Sequence, residues 1–230
     1  MSVVARLALL VLPSTLLLAS ALGSQGAPAN SSSWQTLFDG RTLSGWHGFK
    51  TPGKVPGGWM VEDGAISPNK PGDDLVTDKT YANFELTLEW KISPKGNSGI
   101  IYRIDPKADV TYISGPEMQV LDDTGHPDGK SPLTSAGADY GLYAGPTDVV
   151  KPVGRWNAIR LIVRGDHVEH WMNGQKLLEY RLGSSDWAAR VKASKFKEWP
   201  GYGKAKSGFI GLQDHGDRVW FRNIRIKELP

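Results

Sequence analysis

FELTLEWKI, residues Phe84 to Ile92, places Phe84, Leu86, Leu88, Trp90 and Ile92 on one side of an extended chain and Glu85, Thr87, Glu89 and Lys91 on the other. Successive strand side chains point to opposite faces, so this pattern predicts a strand with one face in a core and one in water, the habit of antiparallel sheets. Similar runs predict strands at 58–66, 99–104, 117–121, 156–164, 167–172, 176–182, 208–213 and 219–228. Asn173-Gly174 lies between two of them, and a type I′ turn needs positive φ at both central residues, so 167–182 is predicted as a hairpin. Asp63-Gly64 suggests a second tight turn. Helical periodicity is nearly absent, and only 184–196 reads as a helix of one or two turns. The expected fold class is all-β: an antiparallel sandwich or jelly roll with at most one short helix.

Outward from this core, residues 1–29 are of another kind. A short segment with one positive charge precedes an apolar run from Leu7 to Leu18, and Ala19-Ser20-Ala21 offers a small-x-small cleavage site. This reads as a secretory signal peptide, cleaved near Ala21, followed by a flexible leader. The apolar run is well short of the roughly 20 residues a spanning helix needs. A single β-sandwich domain is expected over 30–230, since the roughly 195 residues after the leader suffice for one well-buried core. No membrane association is expected once the signal is removed, and a secreted or periplasmic location follows. The 230-residue chain has no cysteine, so an exported domain must hold together without disulfides. Its formal charge is +3 and its Lys and Arg are scattered among acids, which gives no nucleic-acid footprint. Nine Trp, seven Tyr and six Phe suit a β-sandwich core, and also a sugar site, where indole stacks on a pyranose face.

The polar residues gather in two stretches. In GPEMQVLDDTGHPDG, residues 115–129, alternation sends Glu117 and Gln119 to one face and Asp122 to the other. Laminarinase-type glucanases carry E-x-D-x-x-E at such a strand, whereas this chain reads Glu117-Met118-Gln119-Val120-Leu121-Asp122. Retaining hydrolysis needs two carboxylates about 5 Å apart, and glutamine in the middle argues against that pairing. In the second stretch, Gln213-Asp214-His215-Gly216-Asp217 ends a predicted strand and reads as a site at a sheet rim. With Glu117, Gln119, Asp122 and His126 it suits either of two tasks: holding one divalent ion on oxygen and imidazole nitrogen, or placing a histidine base beside a carboxylate. The loop SKFKEWPGYG, 194–203, either roofs a sugar site with Lys195, Lys197, Trp199 or Tyr202, or is simply solvated. Tyr140 and Tyr143 either flank a ligand or anchor a loop. His167 and His170 face opposite sides of one strand and cannot chelate one metal; His47 follows a probable edge segment and either lines a site or is exposed.

The segments WQTLFDGRTLSGW, NSGIIYR, GPEMQVLDDTGHPD, GLYAGP, WNAIRLIVRGDHVEHWMNGQKLLEY, ASKF and GFIGLQDHGDRVWFRNIRIKEL occur in the order found in the 3-keto-disaccharide hydrolase family, which this chain resembles from Trp34 to Leu229. The resemblance implies a concanavalin-like β-sandwich acting on glycosides oxidised at C3. A C3 ketone acidifies the C2 proton, so one base can remove it while the glycosidic oxygen leaves from C1, with water adding afterwards. It further implies His215 as base, Glu117 and Lys195 as catalytic partners, and Gln119, Gln213, Tyr140, Tyr143 and Trp199 as substrate contacts. Glu117, Asp122 and His126 would position one divalent ion or the sugar; no other cofactor is expected. The alternative on the same sandwich is a non-catalytic carbohydrate-binding module. In either case the expected partner is a carbohydrate.

Overall fold

The structure is a computed structural model and describes Met1 and residues 33–230; the predicted signal peptide and nearly all of the leader lie outside the described residues. In chain order the strands are β1 (Gln35–Thr36), β2 (Trp46–Gly48), β3 (Trp59–Glu62), β4 (Ala65–Pro68), β5 (Leu75–Thr77), β6 (Phe84–Ile92), β7 (Asn97–Ile104), β8 (Glu117–Leu121), β9 (Asn157–Arg164), β10 (His167–Met172), β11 (Gln175–Arg181), β12 (Phe209–Leu212) and β13 (Val219–Glu228). An eight-stranded sheet runs β11-β10-β9-β6-β13-β4-β3, with β1 pairing β13; a five-stranded sheet runs β2-β5-β12-β7-β8. Pairing is antiparallel, so the expected all-β sandwich is found.

β6 begins and ends where the alternation put it, and its burial alternates residue by residue. Its apolar side meets Phe221 of β13 and the inner face of β7 and β8 in a core that includes Phe84, Trp90, Tyr102, Ile100 and Met118, all at most 1% exposed. Each such side chain contributes about 1.5–3 kcal/mol by leaving water. The two predicted tight turns carry positive φ at both central residues, 50° and 87° at Asn173-Gly174 and 49° and 74° at Asp63-Gly64. The run 58–66 is therefore the start of the β3–β4 hairpin, not one strand. The helix α1 (Ser185–Ala193) is capped by Ser184, whose side chain accepts from the Trp187 amide at 3.1 Å, and a 3-10 turn follows at Lys195–Glu198. No helix among the described residues is long and apolar enough to cross a membrane.

The five-stranded sheet departs from the one-face-wet expectation. Every residue of β7 and of β8 is buried. The chain after β8 folds back along it: Gln119 N donates to Ala138 O at 3.0 Å, Gly137 N to Gln119 O at 2.8 Å, and Tyr140 N to Glu117 O at 3.0 Å. This covers what would be a bare edge. It also puts the polar side chains of β8 under a roof.

Candidate active site

Register fixes the floor of the site. Gly99 pairs with Gln119 and Ile101 with Glu117, and paired residues share a face. Ser98, Ile100, Tyr102, Met118 and Val120 take the alternate positions, and the apolar ones of these belong to the core. Asn97, Gly99, Glu117 and Gln119 are therefore on the side turned away from it. Gln213 continues the row, its amide donating to Gly99 O at 2.9 Å just past the end of β12. Over this floor lies a cleft of about 620 Å³ lined by Asn97, Tyr112, Glu117, Gln119, His126, Asp128, Tyr140, Lys195, Trp199, Gln213 and His215. Two stretches nearly a hundred residues apart in sequence thus supply opposite walls. Of the eleven lining residues, Asn97, Tyr112 and Asp128 were not anticipated.

Glu117 is the chemically distinctive group. Its carboxyl is 8% exposed and is pushed up to about 8, chiefly by burial and then by the negative charges of Asp74 and Asp128, with Lys195 pulling it down. It carries a proton at neutral pH. Gln119, turned so that its amide nitrogen faces Glu117, donates to Ser98 O at 2.9 Å and to Glu117 Oε1 at 3.0 Å. The opposite orientation offers it only the Thr134 carbonyl at 3.3 Å, and we adopt the first because it satisfies two acceptors. With Oε1 so engaged, Oε2 is left to hold the proton. Glutamine, unsuited to the role of second carboxylate, thus orients the first.

Beneath this wall Asp139 is fully buried, and burial holds its carboxyl well above the usual range. The Tyr180 hydroxyl acts on it electrostatically without reaching hydrogen-bond geometry, so both carboxyl oxygens lack a bonded partner. Tyr180 bonds Tyr102, and Tyr102 lies 3.1 Å from His170 Nε2. His170 Nδ1 is 3.0 Å from the Gly137 carbonyl and must donate to it, which leaves Nε2 to accept. Burial pushes this imidazole down to about 4, so it is a neutral structural histidine. Asp74, just before β5, is raised to about 6, first by burial; it accepts from the Thr111 hydroxyl and from Asp214 N at 2.8 Å.

The other anticipated residues divide. Lys195 projects over the cleft with Nζ 4.5 Å from the Tyr140 ring centroid, and Tyr140 donates to Asp128 Oδ2 at 3.2 Å. His215 is exposed at the rim, in a turn closed by the Gly216 amide donating to Asp214 Oδ1 at 2.9 Å. Trp199 faces the cleft, its ring 5.6 Å from that of Tyr112. Tyr143 does not take part: it stacks on Tyr180 at 4.7 Å and donates to Asp186 at 2.6 Å, so it is the loop anchor. His47 is neither exposed nor in the cleft; it is 6% exposed on β2, with Nδ1 2.7 Å from Asp78.

The ion-binding trio of Glu117, Asp122 and His126 does not assemble. Asp122 Oδ2 accepts from Lys95 N at 2.7 Å, and Oδ1 from Thr124 N at 3.1 Å and Gly125 N at 3.0 Å, so this carboxylate caps a turn outside the cleft. His126 Nδ1 accepts from Asp128 N at 3.1 Å, which leaves its other ring nitrogen to carry a proton when neutral. With Asp122 spent on three backbone amides outside the cleft and His126 Nδ1 engaged by Asp128 N, the three side chains do not converge on one point and do not fit a divalent ion. Among the described residues, the one group of acids and histidines with ligand atoms within 4.8 Å of one another is His167, Glu169 and Glu179, away from the cleft.

Gly99 supplies a prediction. A Cβ there would overlap Glu117 Oε1 and crowd its Cδ and Cγ, so Gly99→Ala must displace the acid from Gln119. We expect turnover to fall about tenfold to a hundredfold, a cost typical of about 1 Å of misplacement, with the melting temperature within a few degrees of the parent. Parental turnover with Gly99→Ala would show that the position of Glu117 is immaterial.

The chain is similar to known proteins. Residues 33–227 match the family model described as a 3-keto-alpha-glucoside-1,2-lyase-like domain. A 3-keto-disaccharide hydrolase from Bacteroides thetaiotaomicron is 37% identical over 243 residues, covering 92% of this chain and 83% of that protein. Among solved structures, a candidate glycosyl hydrolase from Parabacteroides distasonis superposes with a TM-score of 0.80 at 37% identity, over 86% of this chain and 94% of the other. A second from the same organism gives 0.68 at 30% identity, over 86% and 100%.

Proposed function

The chain belongs to the 3-keto-alpha-glucoside-1,2-lyase-like family, and from that premise we propose that it is an exported enzyme cleaving 3-keto-glycosides, 3-keto-disaccharides among them, by elimination across C1–C2 with or without hydration. The observation that carries this reading is the pairing in one cleft of a protonated acid, Glu117, on one wall with an imidazole, His215, on the other. The catalytic unit is the β-sandwich of residues 30–230, and the positively charged start and apolar run of residues 1–29 support export to the periplasm or beyond.

His215 removes the C2 proton, which the C3 ketone acidifies. The enolate charge gathers on the C3 oxygen, where Lys195 and Gln213 meet it. As the C1–C2 double bond forms, the C1–O bond breaks, and the leaving oxygen takes the proton of Glu117 Oε2. The products are a free alcohol and an enone sugar. For net hydrolysis, water adds to the enone: its hydroxyl goes to C1 while Glu117 recovers a proton, and His215 returns the proton to C2. Tyr140 and Trp199 supply flat faces for the sugar ring.

The test is direct. The chain is incubated with a 3-keto-glucoside and with its unoxidised parent, with and without chelator, and release of the aglycone is followed. Release from the ketone alone, insensitive to chelator, is expected. Release from neither overturns the enzyme, and release from the unoxidised glycoside alone restores a two-carboxylate mechanism.

A further inference from the structure

Beside the cleft, and sharing Trp199 with it, lies a second depression of about 400 Å³ between α1 and the 3-10 turn that follows. Its floor is the edge of a buried aromatic stack, Trp187, Phe196 and Tyr202 each being at most 4% exposed, beside the half-buried Trp199. Trp187 stacks on Tyr202 with centroids 5.8 Å apart, and Tyr202 on Phe196 at 4.1 Å. Its rim is basic: Lys192, Lys197 and Lys204 are exposed around it, and no carboxylate lines it. The stretch from Arg190 to Lys206 holds six cations against the single acid Glu198. That acid is 3.8 Å from Lys197, with both side chains more than half exposed, so the contact is weak and leaves Lys197 free to meet another anion.

We propose that this groove is the subsite for the leaving group and that it selects a flat aromatic aglycone bearing a negative charge, such as a carboxylated phenol. The proposal rests on the reading of the cleft as the 3-keto-sugar site. Trp199 borders both hollows, and the short 3-10 turn sends Lys195 to the cleft and Lys197 to the groove. A group bonded at C1 of a sugar in the cleft passes over Trp199 into the groove. A second sugar, the leaving group of a 3-keto-disaccharide, can enter the groove but is its weaker occupant, because the lining holds no carboxylate or amide side chain to accept from its hydroxyls. An uncharged arene would use the floor and leave the three lysines idle. An aryl acid uses both, its ring on the aromatic floor and its carboxylate at the rim.

The test compares 3-keto-glucosides of 4-hydroxybenzoate and of its methyl ester, cleaved by the parent and by Lys192→Gln/Lys197→Gln/Lys204→Gln. Calorimetric titration with free 4-hydroxybenzoate runs alongside. Taking the ratio of kcat/KM for acid over ester, then comparing variant with parent, cancels the intrinsic difference between the two leaving groups. We expect that ratio to fall about fivefold to tenfold in the triple variant, as three partly exposed charge contacts allow. Lys206→Gln, off the groove, should leave the ratio unaltered. An unchanged ratio in the triple variant, or an equal fall for both substrates, overturns the groove assignment even though the enzyme is active. If neither glucoside is cleaved but 4-hydroxybenzoate binds the parent and not the triple variant, the groove stands and the proposed chemistry falls. Absence of both cleavage and binding overturns both.

Discussion

Replacing Glu117 by glutamine is expected to slow release of the aglycone about 10²–10⁴-fold, the range for loss of a positioned general acid. The substitution keeps the volume of the side chain and an oxygen that can still accept from Gln119, so the loss reports the missing proton and not a cavity. It should be largest for poor leaving groups, alcohols above phenols, because only these need protonation as the C1–O bond breaks. In the parent, the rate should decline as pH rises through about 8, where burial has placed this carboxyl, and that decline should be missing from the variant. Stability follows the same proton. Glu117 titrates near 4.5 when free and at about 8 when folded, so between those values the folded state holds a proton the unfolded state has released. Stability therefore falls as pH rises across that window. The glutamine variant lacks this loss, and at pH 9 its melting temperature should exceed the parent's, by the equivalent of on the order of 5 kcal/mol. Parental turnover in Glu117→Gln, or an unaltered alkaline decline, would remove Glu117 from the role of acid.

The alternation of FELTLEWKI made β6 legible to the residue, and the Asn173-Gly174 turn did the same for β10 and, to within one residue at each end, for β11, because in both cases local backbone preference and a one-sided core agree. The short strands β1, β2 and β5 could not be read, since two or three residues carry no period. β8 had the right limits and the wrong surroundings. Alternation alone makes Glu117 and Gln119 the wet face of a strand, and only the return of the chain over residues 122–143 turns Glu117 into a buried acid. That return rests on backbone bonds, to which no side-chain pattern points. Asp122 shows the converse. Its place opposite Glu117 was readable from the alternation, yet its grouping with Glu117 and His126 as an ion site ignored the turn chemistry of Asp122-Asp123-Thr124-Gly125, where a short carboxylate takes up the free amides of the next residues. Tyr143 and Tyr140 differ by three residues and in every neighbour. One lies on the Tyr180–Trp187 stack and the other under Lys195. Asp128 stands within the 115–129 stretch, but a turn after a proline carries no period from which its direction can be read; Asn97 carries a usable signal, an amide at the head of a strand two residues before Gly99.

His215→Ala is expected to abolish proton removal at C2 and, with it, 10²–10⁴ of the rate. The separation of acid and base onto two walls makes the two roles distinguishable without reference to the overall reaction. A 3-keto sugar whose C1 bears only hydrogen has no leaving group and cannot eliminate, but its C2 proton is as acidic as that of the substrate. In deuterated buffer the parent should exchange that proton for deuterium. Glu117→Gln should exchange it too, since the acid acts only on the leaving oxygen, whereas His215→Ala should not. The side chain is exposed and bonds no other side chain among the described residues, so its removal should leave the melting temperature within about 1 °C, as for a surface change of under ~0.5 kcal/mol. Exchange that persists in His215→Ala and disappears in Glu117→Gln would invert the assignment. Glu117 would then have to act as the base, and a carboxyl that holds its proton up to about pH 8 would leave little active enzyme at neutral pH, with a rate that climbs through that value where the acid role predicts a fall. The sign of one pH profile and the fate of one deuterium thus decide between the two walls of the cleft.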